Sequence, residues 1–397
     1  MKYLSNRINS LSESQTIAMA RKSRELNAKG IDIISLSLGE PDFFTPDSVK
    51  KVAIDAIENN FSFYTHVSGY LELRESISKK FKRDNNLNYT AEQIVVSTGA
   101  KQSIANAVLS LVNPGEEVIV PAPYWVSYLE LIKLAEGKAV ILPTTIETDF
   151  KISAEDLKKA ITEKTKLIMF STPCNPTGSV YTKAELKAIA EVLKQHEGVF
   201  VICDEIYEHI NFIGKHESLA QFEEIYNQVI TINGVSKGFA MTGWRVGYMG
   251  APLWIAKACD KMQGQFTSAT CSIAQKATHA AMEIDPLELV EMNEAFQKRR
   301  DLVLKMLKEI KGIKTNLPQG AFYVFPEVSY YFGMKLGDRI INNSDDLCMY
   351  LIDEAHVALV PGEAFGAPGY IRISYATSEE RLSEAMQRIK KALDKLN

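Results

Sequence analysis

From residue 46 onward, short apolar runs alternate with amphipathic stretches. No other feature of the chain narrows its possible folds so far. The runs at residues 94–97, 117–120, 139–142, 167–171, 199–203 and 229–233 are rich in Val, Ile and Leu. Between them lie stretches such as 183–195, with apolar residues at helical spacing. Short runs this apolar read as strands, and their lack of in-out alternation means that both faces are covered. The pattern predicts an α/β fold in which a mostly parallel sheet is covered by helices on both sides.

The ends of the chain read differently. Residues 12–28 have helical spacing with Gly30 at the stop position, and 31–38 form an apolar run closed by Gly-Glu-Pro-Asp at 39–42. From about residue 291 a long charged helix runs to about 311. Strands at 321–325, 357–360 and 370–374 and helices at 344–355 and 378–396 then make an α+β layer. A chain of 397 residues has room for two domains. The expected division is an N-terminal segment, 1–45, folding onto the small domain; a large domain, 46–290; and a small C-terminal α+β domain, 291–397. A continuous helix between the two would permit hinge motion.

Composition excludes several classes of function. Forty-five basic against 49 acidic residues leave a net charge of −4, which argues against general affinity for nucleic acid or anionic membrane. No apolar run reaches the roughly 18 residues of a membrane span. Residues 1–15 are polar, so no secretory leader is expected. The five cysteines show no C-x-x-C spacing, which points to the cytoplasm. The six histidines lack H-E-x-x-H or clustered spacing and read as surface or packing residues, so no metal is expected.

The most informative stretch is Gly-Val-Ser-Lys-Gly-Phe-Ala-Met-Thr-Gly-Trp-Arg-Val-Gly-Tyr at 234–248. It places Lys237 beyond the carboxyl end of a strand, where ligands bind in open α/β sheets. Small and apolar neighbours would desolvate the lysine, favouring the neutral amine that forms a Schiff base with an aldehyde. Ser236 and Arg245, with glycine-rich backbone, make a phosphate clamp. Lysine beside such a clamp points to pyridoxal phosphate; the alternative is a surface lysine in a loop.

Ser-Lys-x-Phe-x-Met-x-Gly-x-Arg-x-Gly resembles the lysine motif of class I and II aminotransferases. The resemblance extends along nearly the whole chain, through Ser-Leu-Gly-Glu-Pro-Asp (37–42), Tyr-Thr-His-Val-Ser-Gly (64–69), Thr-Gly-Ala-Lys-Gln (98–102), Pro-Tyr-Trp-Val-Ser-Tyr (123–128), Asn-Pro-Thr-Gly (175–178), Asp-Glu-Ile-Tyr (204–207) and Arg-Ile-Ser-Tyr-Ala (372–376). It is nearest to the bacterial branch of aspartate aminotransferases, some of which also use prephenate. It implies fold type I of the pyridoxal-phosphate-dependent transferases, with a mostly parallel seven-stranded sheet in the large domain.

Carried over residue by residue, the resemblance makes Lys237 the Schiff-base lysine and proton carrier, and Asp204 the partner of the pyridine nitrogen. Tyr207 and Asn175 are assigned to the ring's 3-hydroxyl, with Asn175–Pro176 a candidate cis peptide. Trp125 and Ile206 lie on opposite faces of the ring. Gly99, Ala100 and Lys101 at a helix start join Ser236 and Arg245 around the phosphate. Tyr64 reaches that phosphate from the partner subunit, so a homodimer with shared active sites is implied. Arg372 grips the substrate α-carboxylate, and Gly39 lets substrate approach the backbone. Residues 262–280 hold no arginine for a distal carboxylate. Lys101, with Ser14-Gln15-Thr16, fits the bacterial branch, which favours L-aspartate and 2-oxoglutarate with ping-pong kinetics. The same motifs serve aminotransferases for aromatic amino acids, alanine or kynurenine, and elimination chemistry on the same fold stays open. A ligand-sensing protein of this fold is a more distant alternative, because residues 1–9 leave no room for a DNA-binding domain.

Overall fold

The structure, a computed structural model, describes residues 3–397. Met1 and Lys2, which begin both the polar stretch and the 1–45 segment, lie outside the described residues. The central sheet has seven strands: β1 (Ile94–Ser97), β2 (Glu117–Ala122), β3 (Lys138–Pro143), β4 (Thr165–Ser171), β5 (Phe200–Asp204), β6 (Val229–Gly234) and β7 (Gly247–Gly250). Their order is β1-β7-β6-β5-β4-β2-β3. Neighbours are parallel except around β7, which runs antiparallel to both β1 and β6.

Apolar alternation explains how the sheet is covered. Every residue of β1, β2, β5, β6 and β7 is buried. Along β4, Leu167 and Met169 join one core while Ile168 and Phe170 join the core on the other face, as a period of two requires. The first core is closed by the helices Ala100–Leu111 and Leu253–Phe266, the second by Leu71–Lys80, Lys183–Leu193 and Ser272–Glu283. The Lys183–Leu193 helix opens with a capping box, Thr182 bonding the N–H of Glu185 and the Glu185 side chain returning to Thr182.

A third core lies under the helix Val290–Leu307. It packs against an antiparallel sheet of Val360–Pro361, Ile371–Ser374 and Tyr323–Val324, flanked by Ser344–Glu354 and Glu379–Leu393. Ile34–Ser35 pairs in parallel with Val357–Ala358. The strand expected over 31–38 therefore shrinks to two paired residues. The helix expected from residue 12 begins at Gln15, because the backbone at its N-cap Ser14 is extended (φ −64°, ψ 118°). Strand β7 has no counterpart among the expected runs: its Gly-Tyr-Met-Gly sequence lacks apolar continuity. Among the described residues no helix is long and apolar enough to cross a membrane.

Candidate active site

Six strands end at one edge of the sheet, and β7 begins there. The loops at that edge carry Lys101 (after β1), Trp125 (after β2), Asn175 (after β4), Ile206 and Tyr207 (after β5), Ser236 and Lys237 (after β6) and Arg245 (before β7). Asp204 is the last residue of β5. These side chains line one cleft with Ala100, and Gly39 and Arg372 close it from the other side. Gly99 lies behind the cleft wall. Tyr64 is 98% exposed and does not line the cleft of its own chain. The Asn175–Pro176 bond is cis.

The Lys237 amine donates to the Gly39 carbonyl at 2.5 Å and stands 5.9 Å from the centre of the Tyr207 ring. Burial pushes its pKa down to about 8, with repulsion from Arg245 and Arg372 adding to the shift. Asp204 is buried, accepting from Tyr128 Oη at 3.0 Å and from the Ile206 N–H at 3.3 Å. Desolvation raises its carboxyl to about 6, against the downward pull of the Tyr128 hydrogen bond. The Tyr207 hydroxyl shares a hydrogen bond of 2.8 Å with Tyr323, and burial pushes its pKa well up.

The helix Ala100–Leu111 begins at the cleft, where its first N–H groups and positive dipole end favour an anion. Arg245 adopts a left-handed conformation (φ 58°) and donates to the Thr242 carbonyl at 2.9 Å. Two glycines let this cradle close up. A Cβ on Gly99 (φ +86°) would overlap the Arg245 guanidinium, and one on Gly247 would overlap the Ala100 nitrogen.

Arg372 is 2% exposed. It donates to Asn175 Oδ1 at 3.0 Å and to the Ser37 carbonyl at 2.5 Å, and its guanidinium lies 4.6 Å from the Tyr323 ring centre. Its Nε–H has no partner among the described residues. The Lys101 ammonium stands 5.0 Å from the Trp125 ring centre, and its pKa is lowered by desolvation and then by Arg245. The cleft thus gathers Lys101, Lys237, Arg245 and Arg372 against one lining carboxylate, Asp204. That excess of cations suits a ligand set rich in phosphate and carboxylate.

The sequence profile of the family "Aminotransferase class I and II" matches residues 31–389, which span every side chain just described. The chain belongs to this family. It is 48% identical over 395 residues to the bifunctional aspartate aminotransferase and glutamate/aspartate-prephenate aminotransferase of Petunia hybrida, covering 98% of this chain and 82% of that protein. Its fold is similar to the crystal structure of the aspartate aminotransferase from Rhizobium meliloti, with a TM-score of 0.96, 41% identity and 99% of both chains covered. It is also similar to the aspartate aminotransferase from Thermus thermophilus with maleate, with a TM-score of 0.92, 38% identity, and 99% of this chain and 100% of that one covered.

Two tyrosines of this aminotransferase escaped the sequence reading. Tyr323 sits in an apolar run that reads as core, yet its hydroxyl occupies the place where a Cβ on Gly39 would lie. Gly39 is therefore required by Tyr323. Tyr128 lies within the quoted motif at 123–128, but only the fold brings it to Asp204. Replacing it by Phe uncovers one oxygen of a buried carboxylate. A hydrogen bond to a charged group is worth about 1.5–3 kcal/mol. Tyr128→Phe should therefore lower kcat by about tenfold or more while leaving the KM for the amino acid nearly unchanged, as steady-state kinetics will show.

Proposed function

We propose that the chain is a pyridoxal-phosphate-dependent aspartate aminotransferase that exchanges an amino group between L-aspartate and 2-oxoglutarate, giving oxaloacetate and L-glutamate. The observation that carries this reading is the half-buried Lys237 amine, desolvated and shifted to about 8, in one cleft with a buried carboxylate and an anion cradle. The residues present fit the cofactor. Asp204 is a buried carboxylate with no cation at hydrogen-bond distance among the described residues, which suits a protonated ring nitrogen. Gly99 and Gly247 let the Arg245 guanidinium and the Ala100 N–H pack close together at the helix start, which suits a phosphate.

When bound, pyridoxal phosphate supplies an aldehyde for the lysine and an electron-withdrawing ring. Ser236, Arg245 and the N–H groups after Gly99 hold the phosphate. Asp204 keeps the ring nitrogen protonated, and Tyr207 and Asn175 offer hydrogen bonds to the phenolic oxygen. Trp125 and Ile206 exclude water from the ring faces. Arg372, whose Nε–H has no partner among the described residues, would take the substrate α-carboxylate. Lys237, as the neutral amine, would take the proton from the substrate α-carbon and deliver it to the carbon of the cofactor's aldehyde group, acting as base and then acid.

The preference for dicarboxylic substrates would rest on Lys101, a further cation lining the cleft beside Trp125. The Thermus thermophilus relative with maleate supports the same preference. The name of the Petunia hybrida relative extends the reading to prephenate. Residues 46–290 would act as the cofactor-binding unit, with 1–45 and 291–397 as the unit that brings Gly39 and Arg372 onto the substrate. The exposed apolar side chains Phe63 (81% exposed), next to the outward-facing Tyr64 in sequence, and Phe44 (91%) favour a homodimer in which Tyr64 completes the partner's cradle. Five free cysteines fit a cytoplasmic enzyme.

The test is the visible spectrum of the purified protein. A cofactor band that bleaches with excess L-aspartate and returns with 2-oxoglutarate is the expected result. A band that ignores aspartate but bleaches with phenylalanine or alanine would remove Lys101 as the selector. No band even after addition of pyridoxal phosphate would end the reading of Lys237.

A further inference from the structure

Behind the cleft, on the far side of the turn that carries Asp204 and Tyr207, lies a buried polar cluster for which the mechanism has no use. Lys80 is 1% exposed, pairs with Glu208, and donates to Asn85 Oδ1 at 2.7 Å. Asn85 donates to Glu208 Oε2 at 2.7 Å and to Ser218 Oγ at 3.3 Å. Ser218 in turn donates to Glu205 Oε2 at 2.6 Å, and His216 Nε2 lies 3.0 Å from the same oxygen. His209 Nε2 lies 3.2 Å from Glu208 Oε1. The histidines at 209 and 216 are packing residues that also stand near carboxylates, with no hydrogen bond from either Nε2 among the described residues.

His209 also reaches the lysine loop. The three atoms nearest to a Cβ built on Gly238, the residue after Lys237, all belong to His209, with Cδ2 closest at 2.7 Å. The imidazole makes an edge contact with Phe239, ring centres 5.4 Å apart. A leucine could fill this space without placing an imidazole among buried charges, an arrangement that is costly unless it is paired. We propose that His209 is a positioning residue for transamination: packed between Phe239 and Glu208, its ring is the stop on which Gly238 rests, and it sets where the Lys237 amine stands relative to Asp204 and Tyr207.

The inference rests on the reading of Lys237 given above, and its test separates the two. The variants are His209→Ala, Gly238→Ala and the double variant, each prepared as holoenzyme. Steady-state kinetics and the pH midpoint of the visible cofactor band are the readouts, with the Tm of the cofactor-free proteins as a control for folding. Misplacement of a reacting group by about 1 Å can cost up to about 10²-fold. Each single variant should therefore lose about tenfold or more in kcat, with KM within about twofold, and should move the band midpoint by roughly half a pH unit. The double variant should recover most of both, because the new methyl fills the space that the ring leaves; losses that compensate are the mark of direct contact. Singles that keep kcat and the band midpoint while only Tm falls would overturn the proposal, as would losses that multiply in the double variant. If His209→Ala does not fold, Gly238→Ala decides alone, since full activity with an unmoved band would be incompatible with the stop. A wild-type protein without any band sinks the functional reading; a normal band left unmoved by the variants sinks only this inference.

Discussion

Lys237→Ala will fold and hold pyridoxal phosphate, but it will not turn over. On the function proposed above, the substitution removes two functions at once, the amine that condenses with an aldehyde and the base that carries the α-proton. General acid–base catalysis alone is worth about 10²–10⁴-fold, so activity should fall by at least about 10⁴-fold. The cofactor is retained because the cradle is built from other residues, Ser236, Arg245 and the start of the helix Ala100–Leu111. Intact mass after borohydride treatment reads the chemistry directly. The wild-type chain should gain the mass of the cofactor and the variant should not. A variant that still fixed cofactor would show that another amine of the cleft, Lys101 being the nearest in kind, does the work assigned here to Lys237.

Asp204→Asn is the second large effect, and it should move activity and stability in opposite directions. Activity should fall by about 10²–10³-fold or more, the size expected when a preorganised charge is removed from a reacting centre. Stability of the cofactor-free protein should rise at neutral pH. Burial raises the Asp204 carboxyl to about 6 from its ordinary 3.8. Between those values the folded protein holds a proton that the unfolded chain has released, so ionisation at higher pH works against the fold. The contribution is lost to the fold as pH rises from about 4 to about 6, and it amounts to on the order of 3 kcal/mol. Asparagine never ionises. The cofactor-free variant should therefore melt above the wild type at pH 7.5, with the gap narrowing below pH 6. Calorimetry at the two pH values checks this, and an equal or lower Tm at pH 7.5 would refute it.

Much of this site could be read from the chain because its parts are local. Lys237, Ser236 and Arg245 share one glycine-rich stretch after an apolar run, and Asp204 closes another run. Each can be placed from its position at the carboxyl end of a buried parallel strand. Tyr323 and His209 could not be found this way. Their partners, Gly39 and Gly238, are distant in sequence, and a glycine does not announce what fills its missing side chain. Strand β7 was hidden for a related reason. Gly247 and Gly250 are strand residues whose small size serves Ala100 and Tyr89, so the apolar signal of a buried strand is absent. The run at 31–38 misled in the other direction: it is apolar because it covers the third core, and only Ile34 and Ser35 find a strand to pair with.

The reversed direction of β7 has a consequence for how this enzyme can be altered. The loop between β6 and β7 leaves the sheet at Gly234 and rejoins it at Gly247, on the same edge and beside the strand it left. It is a tether with both ends fixed, and Lys237 and Arg245 are knots along it. Length added anywhere on that tether shifts one knot against the other. The turn at Pro114–Glu116 lies on the opposite edge, where β2 begins. A tag, a linker or a grafted domain belongs on that far rim, away from the tether that holds Lys237 and Arg245.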